Sequence, residues 1–366
     1  MAALRSLIVL SCALVACGPT SKHGDTGSAA PVNDQTPEDA CQPPCRVVVG
    51  DLKRPAELVA DSSSVYFAER GDGDSFDADV MRAPEQGGAA VKLATAPSMV
   101  GLFLGGANLF WRTLGTATAS DGSSIEMMSA AGGTPTRLFE SPTSIGVAVA
   151  DDTGVYAATL DEVFSIAIDT GKKTTFGKVV GVSSLALNDP DLILVDRGRE
   201  TPTQAELDDP AATRPCLVDW VRKAGGTLET AYTAPPVPYA NNCNPTSIAP
   251  YEGGVVWLGP SITGEGTTLF KLPVSATMPV ELATGLSSDY GELTTDADSV
   301  YFTYRTQADD TVFARYSRTH EVTTLWSGPV HPGGMAASGG SLYFTAFETS
   351  EDGKRTHGAV LAIPIP

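Results

Sequence analysis

From Arg46 onward the chain alternates short apolar runs with clusters of turn-forming residues, and one unit recurs. An Asp- or Gly-rich turn is followed by two or three aliphatic, β-branched or aromatic residues. These are Val65-Tyr66-Phe67, Leu109-Phe110-Trp111, Val155-Tyr156, Leu192-Ile193-Leu194, Val255-Val256-Trp257, Val300-Tyr301-Phe302 and Leu342-Tyr343-Phe344. Counted between their first residues, the spacings are 44, 46, 37, 63, 45 and 42 residues. They centre on about 45 residues, the length of one four-stranded propeller blade. Small apolar residues precede the turn, as in Leu102-Phe103-Leu104, Val147-Ala148-Val149 and Leu185-Ala186-Leu187, which suits a crowded inner strand. A third strand follows the motif, as in Val80-Met81-Arg82-Ala83, Leu269-Phe270-Lys271-Leu272 and residues 312–316. Glycine hairpins such as Gln86-Gly87-Gly88, Gly132-Gly133 and Gly225-Gly226 then lead to an outer strand. No segment carries an amphipathic helical period, so almost no helix is expected.

The last unit supplies a third strand at Ala359-Val360-Leu361-Ala362-Ile363-Pro364 and then runs out of chain. An outer strand is available at the other end, in Arg46-Val47-Val48-Val49-Gly50-Asp51-Leu52. Pairing the two closes the ring and removes an exposed sheet edge. The reading is therefore all-β, a seven-bladed β-propeller closed by an N-terminal strand on the last blade, rather than a pair of β-sandwiches or a solenoid.

The first residues speak of address. Met1 to Ala16 holds one basic residue, Arg5, and an apolar run of about 10 residues, too short to span a bilayer and fit for a signal peptide. The run ends in Leu14-Val15-Ala16-Cys17-Gly18, which resembles the lipobox of bacterial lipoproteins. That resemblance implies a mature chain starting at Cys17, with a diacylglyceryl group on its thiol and a further acyl chain such as palmitate on its amine. Two or three acyl chains hold a protein on a membrane where one is marginal. Gly18 in place of an acidic residue implies, by the same resemblance, the outer membrane of the cell envelope. Residues 17–44 are rich in Gly, Pro, Ser, Thr, Ala and Asp, too polar to offset the entropy of ordering, and read as a lipidated disordered tether. Such a tether reaches on the order of 30 Å. The expected layout is thus a signal peptide at 1–16, a tether at 17–44 and a propeller at 45–366.

Export changes how the cysteines are read. With Cys12 and Cys17 set aside, Cys41, Cys45, Cys216 and Cys243 remain, an even number in an oxidising compartment, where disulfides are favoured over a metal site. Three pairings are possible. We read Cys216 with Cys243, across an unusually long insertion, and Cys41 with Cys45. The formal net charge of -19, from 24 basic and 43 acidic residues, argues against nucleic acid and against direct docking on anionic lipid. It keeps a crowded surface protein soluble, and a monomer is expected.

Through Val-Tyr-Phe and Leu-Phe-Trp after an Asp or Gly turn, the body resembles the Tyr-Trp-Thr-Asp and TolB-like propellers, and more closely the propeller lipoproteins of bacteria. The resemblance covers about Arg46 to the C-terminus and implies a fold more than an activity.

The fourth unit is the longest, with one insertion from Arg197 to Pro215 and another from Pro235 to Cys243. Propellers bind through loops on one rim, so a disulfide-braced loop pair carrying Arg197, Arg199, Tyr239 and Asn241 is the candidate recognition surface. Asp72, Asp74, Asp77 and Asp79 crowd one loop in a weak calcium-like pattern that lacks the glycine and terminal glutamate of an EF-hand. A charged hairpin tip is the plainer reading. Residues 167–172 resemble the repeat of quinoprotein propellers but occur once, without the following tryptophan, and read as a hairpin turn. Four histidines are present, His23, His320, His331 and His357, and no nucleophile elbow, zinc-protease or phosphate-loop motif. The expected function is non-catalytic: an envelope binding or scaffold protein, anchored to the membrane through Cys17, contacting proteins or glycans through a propeller rim, with no cofactor. Two alternatives stand beside it. An envelope hydrolase or lyase needs acidic or histidine side chains converging at one channel mouth. An assembly factor for outer-membrane proteins rests on analogy with other lipoprotein propellers.

Overall fold

The structure is a computed structural model that describes residues 36–71, 76–115, 122–197, 213–234, 237–238, 247–260, 267–274, 276–286, 290–306, 308, 310–349 and 355–366. Seven four-stranded antiparallel sheets make up nearly all of these residues. From inner to outer strand, blade 1 is Arg54–Ala60, Ser64–Arg70, Ala78–Pro84 and Val91–Ala96, and blade 2 is Met99–Gly105, Asn108–Leu114, Ser123–Ser129 and Thr136–Ser141. Blade 3 is Val147–Ala150, Gly154–Ala158, Glu162–Ala167 and Lys173–Lys178, and blade 4 is Ser184–Asn188, Asp191–Asp196, Leu217–Arg222 and Glu229–Thr233. Blade 5 is Ala249–Pro250, Gly254–Pro260, Thr267–Pro273 and Val280–Leu286, and blade 6 is Tyr290–Thr295, Ser299–Arg305, Thr311–Ser317 and Val322–Gly328. Blade 7 takes His331–Ser338, Ser341–Thr349 and Arg355–Pro364 from the end of the chain and its outer strand, Arg46–Leu52, from the beginning.

That last pairing joins the two segments expected from the sequence, with two register shifts along it. Arg46 stands opposite Ala362, Val47 opposite Leu361, Val49 opposite Val360 and Leu52 opposite Gly358. The inner strands touch their neighbours in blade order, and the inner strand of blade 7 returns to that of blade 1. The core is correspondingly divided into seven clusters, each between two adjacent blades. The cluster between blades 7 and 1 holds Val48, Val49 and Leu52 against Leu58, Val65, Phe67 and Tyr343. These features define a closed seven-bladed β-propeller.

The recurrent turn has a chemical reason. Asp61 accepts the backbone N–H groups of Ser63 and Ser64 through one oxygen and the Tyr66 hydroxyl, at 2.9 Å, through the other. Asp296 does the same for Asp298, Ser299 and Tyr301. Each aspartate thus closes its turn and pins the second strand through a tyrosine five residues on. Burial, together with the Asp61 carboxylate, pushes the Tyr66 hydroxyl up to about 12. Blade 5 departs from this scheme, with Tyr251 and Val256 at the two positions. Its turn is held by Tyr251 and Gly254 through their backbones, with Glu252 and Gly253 both in the left-handed region at φ 44 and 69.

Asp151 closes the turn of blade 3 and also reaches across to blade 4, where Lys223 Nζ lies 2.7 Å away. Burial alone would raise its carboxyl, but hydrogen bonds from Lys223, from the Thr153 hydroxyl and from two backbone N–H groups outweigh that and hold it at about 2. A folded pKa below the unfolded value of about 3.9 gives stability that is present above pH 4 and lost as pH falls towards 2. After solvent screening the contribution is on the order of 1–2 kcal/mol. Urea unfolding of Asp151→Asn should show that loss at pH 7, with the gap to the wild type closing by pH 2. A constant gap across that range would contradict the assignment.

One segment departs from expectation. Residues 36–44, read as part of the tether, are ordered against the body. Pro37–Ala40 is a four-residue helix capped by Thr36, and Cys41 and Cys45 form a disulfide. Ala40 and Cys45 pack with Trp326, Leu361 and Ile363 between blades 6 and 7. Residues 1–35, Cys17 among them, lie outside the described residues. No helix among the described residues is long and apolar enough to cross a membrane.

The two rims differ in kind. Every turn between a first and a second strand is two or three residues long, and all open on one rim. The opposite rim receives the connections from second to third strand and from outer strand to the next blade, which include 71–77, 115–122, 197–216 and 234–248.

Candidate functional site

The long-connection rim is built up most on blade 4. Between its second and third strands the chain forms Thr213–Arg214, and between its outer strand and blade 5 it forms Val237–Pro238. These two pieces pair as a small antiparallel ribbon, Thr213 opposite Pro238 and Arg214 opposite Val237, so the two insertions seen in the sequence are joined. Cys216, at the foot of the first insertion, is buried and disulfide-bonded. Its expected partner Cys243 lies outside the described residues, as do Arg199, Tyr239 and Asn241. Arg197 is half-buried and its backbone N–H donates to the Val180 carbonyl at 2.9 Å, fixing the start of the insertion against blade 3.

Beneath this ribbon are two residues that sequence reasoning passed over. Asp196 and Asp219 are both fully buried, on adjoining strands of blade 4, with Asp196 opposite Leu217 and Asp219 opposite Leu194. Two strand positions apart on one face, they form an acidic floor at the base of the insertions, and each makes a polar contact. The available signal was an aspartate inside each of two apolar runs, 191–196 and 217–222.

Around the channel mouth on the same rim, charge gathers on blades 6, 7, 1 and 2. Glu57 of the inner strand is ion-paired with Arg70, whose guanidinium lies 5.1 Å from the centre of the Phe76 ring. Arg112 is buried and donates to the carbonyls of Ile145 and Gly146 in blade 3 and, at 3.0 Å, to Val100. Burial pulls its guanidinium down to about 10, against the favourable charge of Glu57. Its work is to tie blade 2 to blade 3. His331, which begins the inner strand of blade 7, turns Nδ1 to the Arg305 guanidinium and stacks on Phe347. Because a guanidinium only donates, Nδ1 accepts and the ring proton sits on Nε2. His320 accompanies the Tyr316 hydroxyl at 2.7 Å on the opposite rim, and His357 is exposed on the third strand of blade 7. The described histidines are thus dispersed over blades 6 and 7 and both rims.

Of the four loop aspartates, Asp72 and Asp74 lie outside the described residues. Asp77 accepts the Ser98 N–H at 2.9 Å, and Asp79 holds Lys92 at 2.7 Å and Thr95 at 3.1 Å, so both serve as ties within blade 1 and to its exit. Among the described residues no group of three or more His, Cys, Asp or Glu side chains is placed to hold a metal ion.

Solved structures share this architecture. The β-propeller domain of the Trilobed protease from Pyrococcus furiosus superposes with a TM-score of 0.59 at 10% identity, over 84% of this chain and 95% of that one. The likeness is one of fold. Tricorn protease matches with a TM-score of 0.54 at 11% identity, over 87% of this chain, which spans only 34% of that protein. An oligogalacturonate lyase in complex with manganese matches with a TM-score of 0.50 at 10% identity, over 86% of this chain and 98% of that one. The propeller of the Trilobed protease is described by an open velcro topology, whereas here Arg46–Leu52 is hydrogen-bonded to Arg355–Pro364. No family model matches the chain, and no curated protein matches it.

Proposed function

We propose that this chain is a lipid-anchored binding or scaffold protein of the cell envelope that meets a protein or glycan partner through the long-connection rim of its propeller. One observation carries the reading. The two longest connections in the ring leave blade 4 on the same rim and are joined there by a ribbon, while the connections on the other rim are only two to six residues long. Loops braced on a rigid scaffold are where recognition is usually found. The strongly acidic body favours a tethered, solvated position over adsorption to anionic lipid, and the resemblance of Leu14-Val15-Ala16-Cys17-Gly18 to a lipobox supports an anchor on Cys17 in the outer membrane.

The test is affinity capture from detergent-solubilised envelope with the wild-type chain, with Cys17→Ser, and with residues 198–212 replaced by a short Gly-Ser link. Cys17→Ser should leave the membrane fraction and lose the mass of its acyl chains. The loop replacement should keep its thermal transition and its anchor yet lose the captured partner. Capture of the same partner by the loop replacement would contradict the rim assignment, and an unchanged mass for Cys17→Ser would contradict the anchor.

A further inference from the structure

The central channel holds a feature unrelated to the rim. Glu292 lies on Tyr290–Thr295, the inner strand of blade 6, at a break in the ladder. Tyr290 is opposite Tyr304 and Leu293 is opposite Phe302, so Gly291 and Glu292 together face one residue, Thr303. The Glu292 N–H donates to the side-chain oxygen Thr303 Oγ1 at 2.9 Å instead of to a backbone carbonyl of the neighbouring strand. At Gly291 a Cβ would come within 2.6 Å of the same oxygen, so only glycine fits. A bulge of this kind re-aims a side chain out of the regular alternation. The re-aimed carboxyl makes no hydrogen bond or ion pair with any described residue. Its strand is one of the seven inner strands that contact one another around the central channel, the residue is partly exposed there, and burial pushes its carboxyl up.

The surroundings narrow what that space can take. The partly exposed inner-strand residues of the other blades are largely aliphatic, including Val59, Leu104, Val149, Leu187 and Ala336. The other charged residues of the inner strands are engaged elsewhere. Glu57 is ion-paired with Arg70, and Arg54 and His331 begin their strands at the rim. A divalent ion wants six or more oxygen ligands, and among the described residues no group of three or more His, Cys, Asp or Glu side chains is placed to supply them. A lone carboxylate in an apolar tube instead complements a single positive charge on an apolar stem, because a buried charge needs an opposite partner.

We propose that the channel is a binding site for an organic cation, an ammonium group carried on an aliphatic stem, with Glu292 as its counter-charge. Such an ammonium occurs on a small amine and on the amino terminus of an apolar peptide, and two sets of probes separate these sources.

The experiment is calorimetric titration of the purified full chain with hexylammonium, with the neutral hexan-1-ol, and with free and N-acetylated trileucine. Hexylammonium should bind at one site at least about tenfold more tightly than hexan-1-ol. Glu292→Gln, close in shape, should erase that preference while leaving hexan-1-ol binding and the thermal transition unchanged. Glu292→Asp should retain part of it, which guards against a folding effect. Free trileucine binding in preference to the acetylated form assigns the site to peptide amino termini; no binding of trileucine beside tight hexylammonium assigns it to small amines. Equal binding of hexylammonium and hexan-1-ol, a preference that survives Glu292→Gln, or no binding of hexylammonium at about 10 mM would overturn the proposal.

Discussion

Val48→Asp is expected to cost about 4–5 kcal/mol of folding stability, whereas Val47→Asp, one residue away, should cost no more than about 0.5 kcal/mol. Both residues lie in Arg46–Leu52, the strand that completes blade 7. Val48 is 3% exposed and packs in the cluster between blades 7 and 1, while Val47 is 42% exposed on the outer edge of the sheet. A carboxylate at 48 would have to stay charged without a partner or take up a proton at neutral pH, and either course draws on a net stability of only about 5–15 kcal/mol. Because the substitution acts where the chain ends meet, it weakens ring closure itself. Urea unfolding followed by tryptophan fluorescence gives both values. Equal costs at 47 and 48 would mean that the strand is not seated on the face described.

Phe344→Ala should cost about 3–5 kcal/mol, the next largest effect. Phe344 is fully buried on the second strand of blade 7, with its ring 4.2 Å from that of Phe313 and 6.1 Å from that of Trp326, both of blade 6. Phe313 and Trp326 are themselves 5.6 Å apart, so three rings close this interface, and the N-terminal helix and Cys45 lie against the same cluster. Removing the Phe344 ring leaves a cavity that rigid strands on both sides cannot collapse to fill. Leu160→Ala, at a residue 71% exposed, is the matched control and should be nearly neutral. Thermal or urea unfolding of the pair checks both. A cost below about 1 kcal/mol at Phe344 would mean that blades 6 and 7 do not share this core.

The fold was legible because its signals are local and repeated. An Asp turn with a tyrosine five residues on is a chemical unit that can be read without knowing what lies beyond it, and Asp61 with Tyr66 and Asp296 with Tyr301 are built that way. The missing outer strand of the last unit and the spare strand at Arg46 give closure by the same logic. Where residues act through distant neighbours, the sequence was less informative. Residues 36–44 have a tether's composition, and they are ordered by a disulfide and by Trp326, which is remote in sequence. His331 starts an inner strand and meets Arg305, 26 residues away in sequence. Glu292 follows Tyr290-Gly291 and looks like one more turn acid. Its bulge depends on Thr303, and its desolvation on burial in the folded ring. The candidate rim was legible in part, since the 63-residue spacing exposed the insertions of blade 4. That they meet in a ribbon follows from both leaving blade 4 on one rim, which only the strand directions reveal.

The ring rests on the first and last strands of the body lying side by side, paired through two register shifts. Backbone nuclear Overhauser effects in perdeuterated protein report that contact directly. Cross-strand signals joining Val47 to Leu361 and Val49 to Val360 are the predicted result. Their absence, in protein whose other blades give the strand pairings described, would show that the two ends of the chain do not close the propeller.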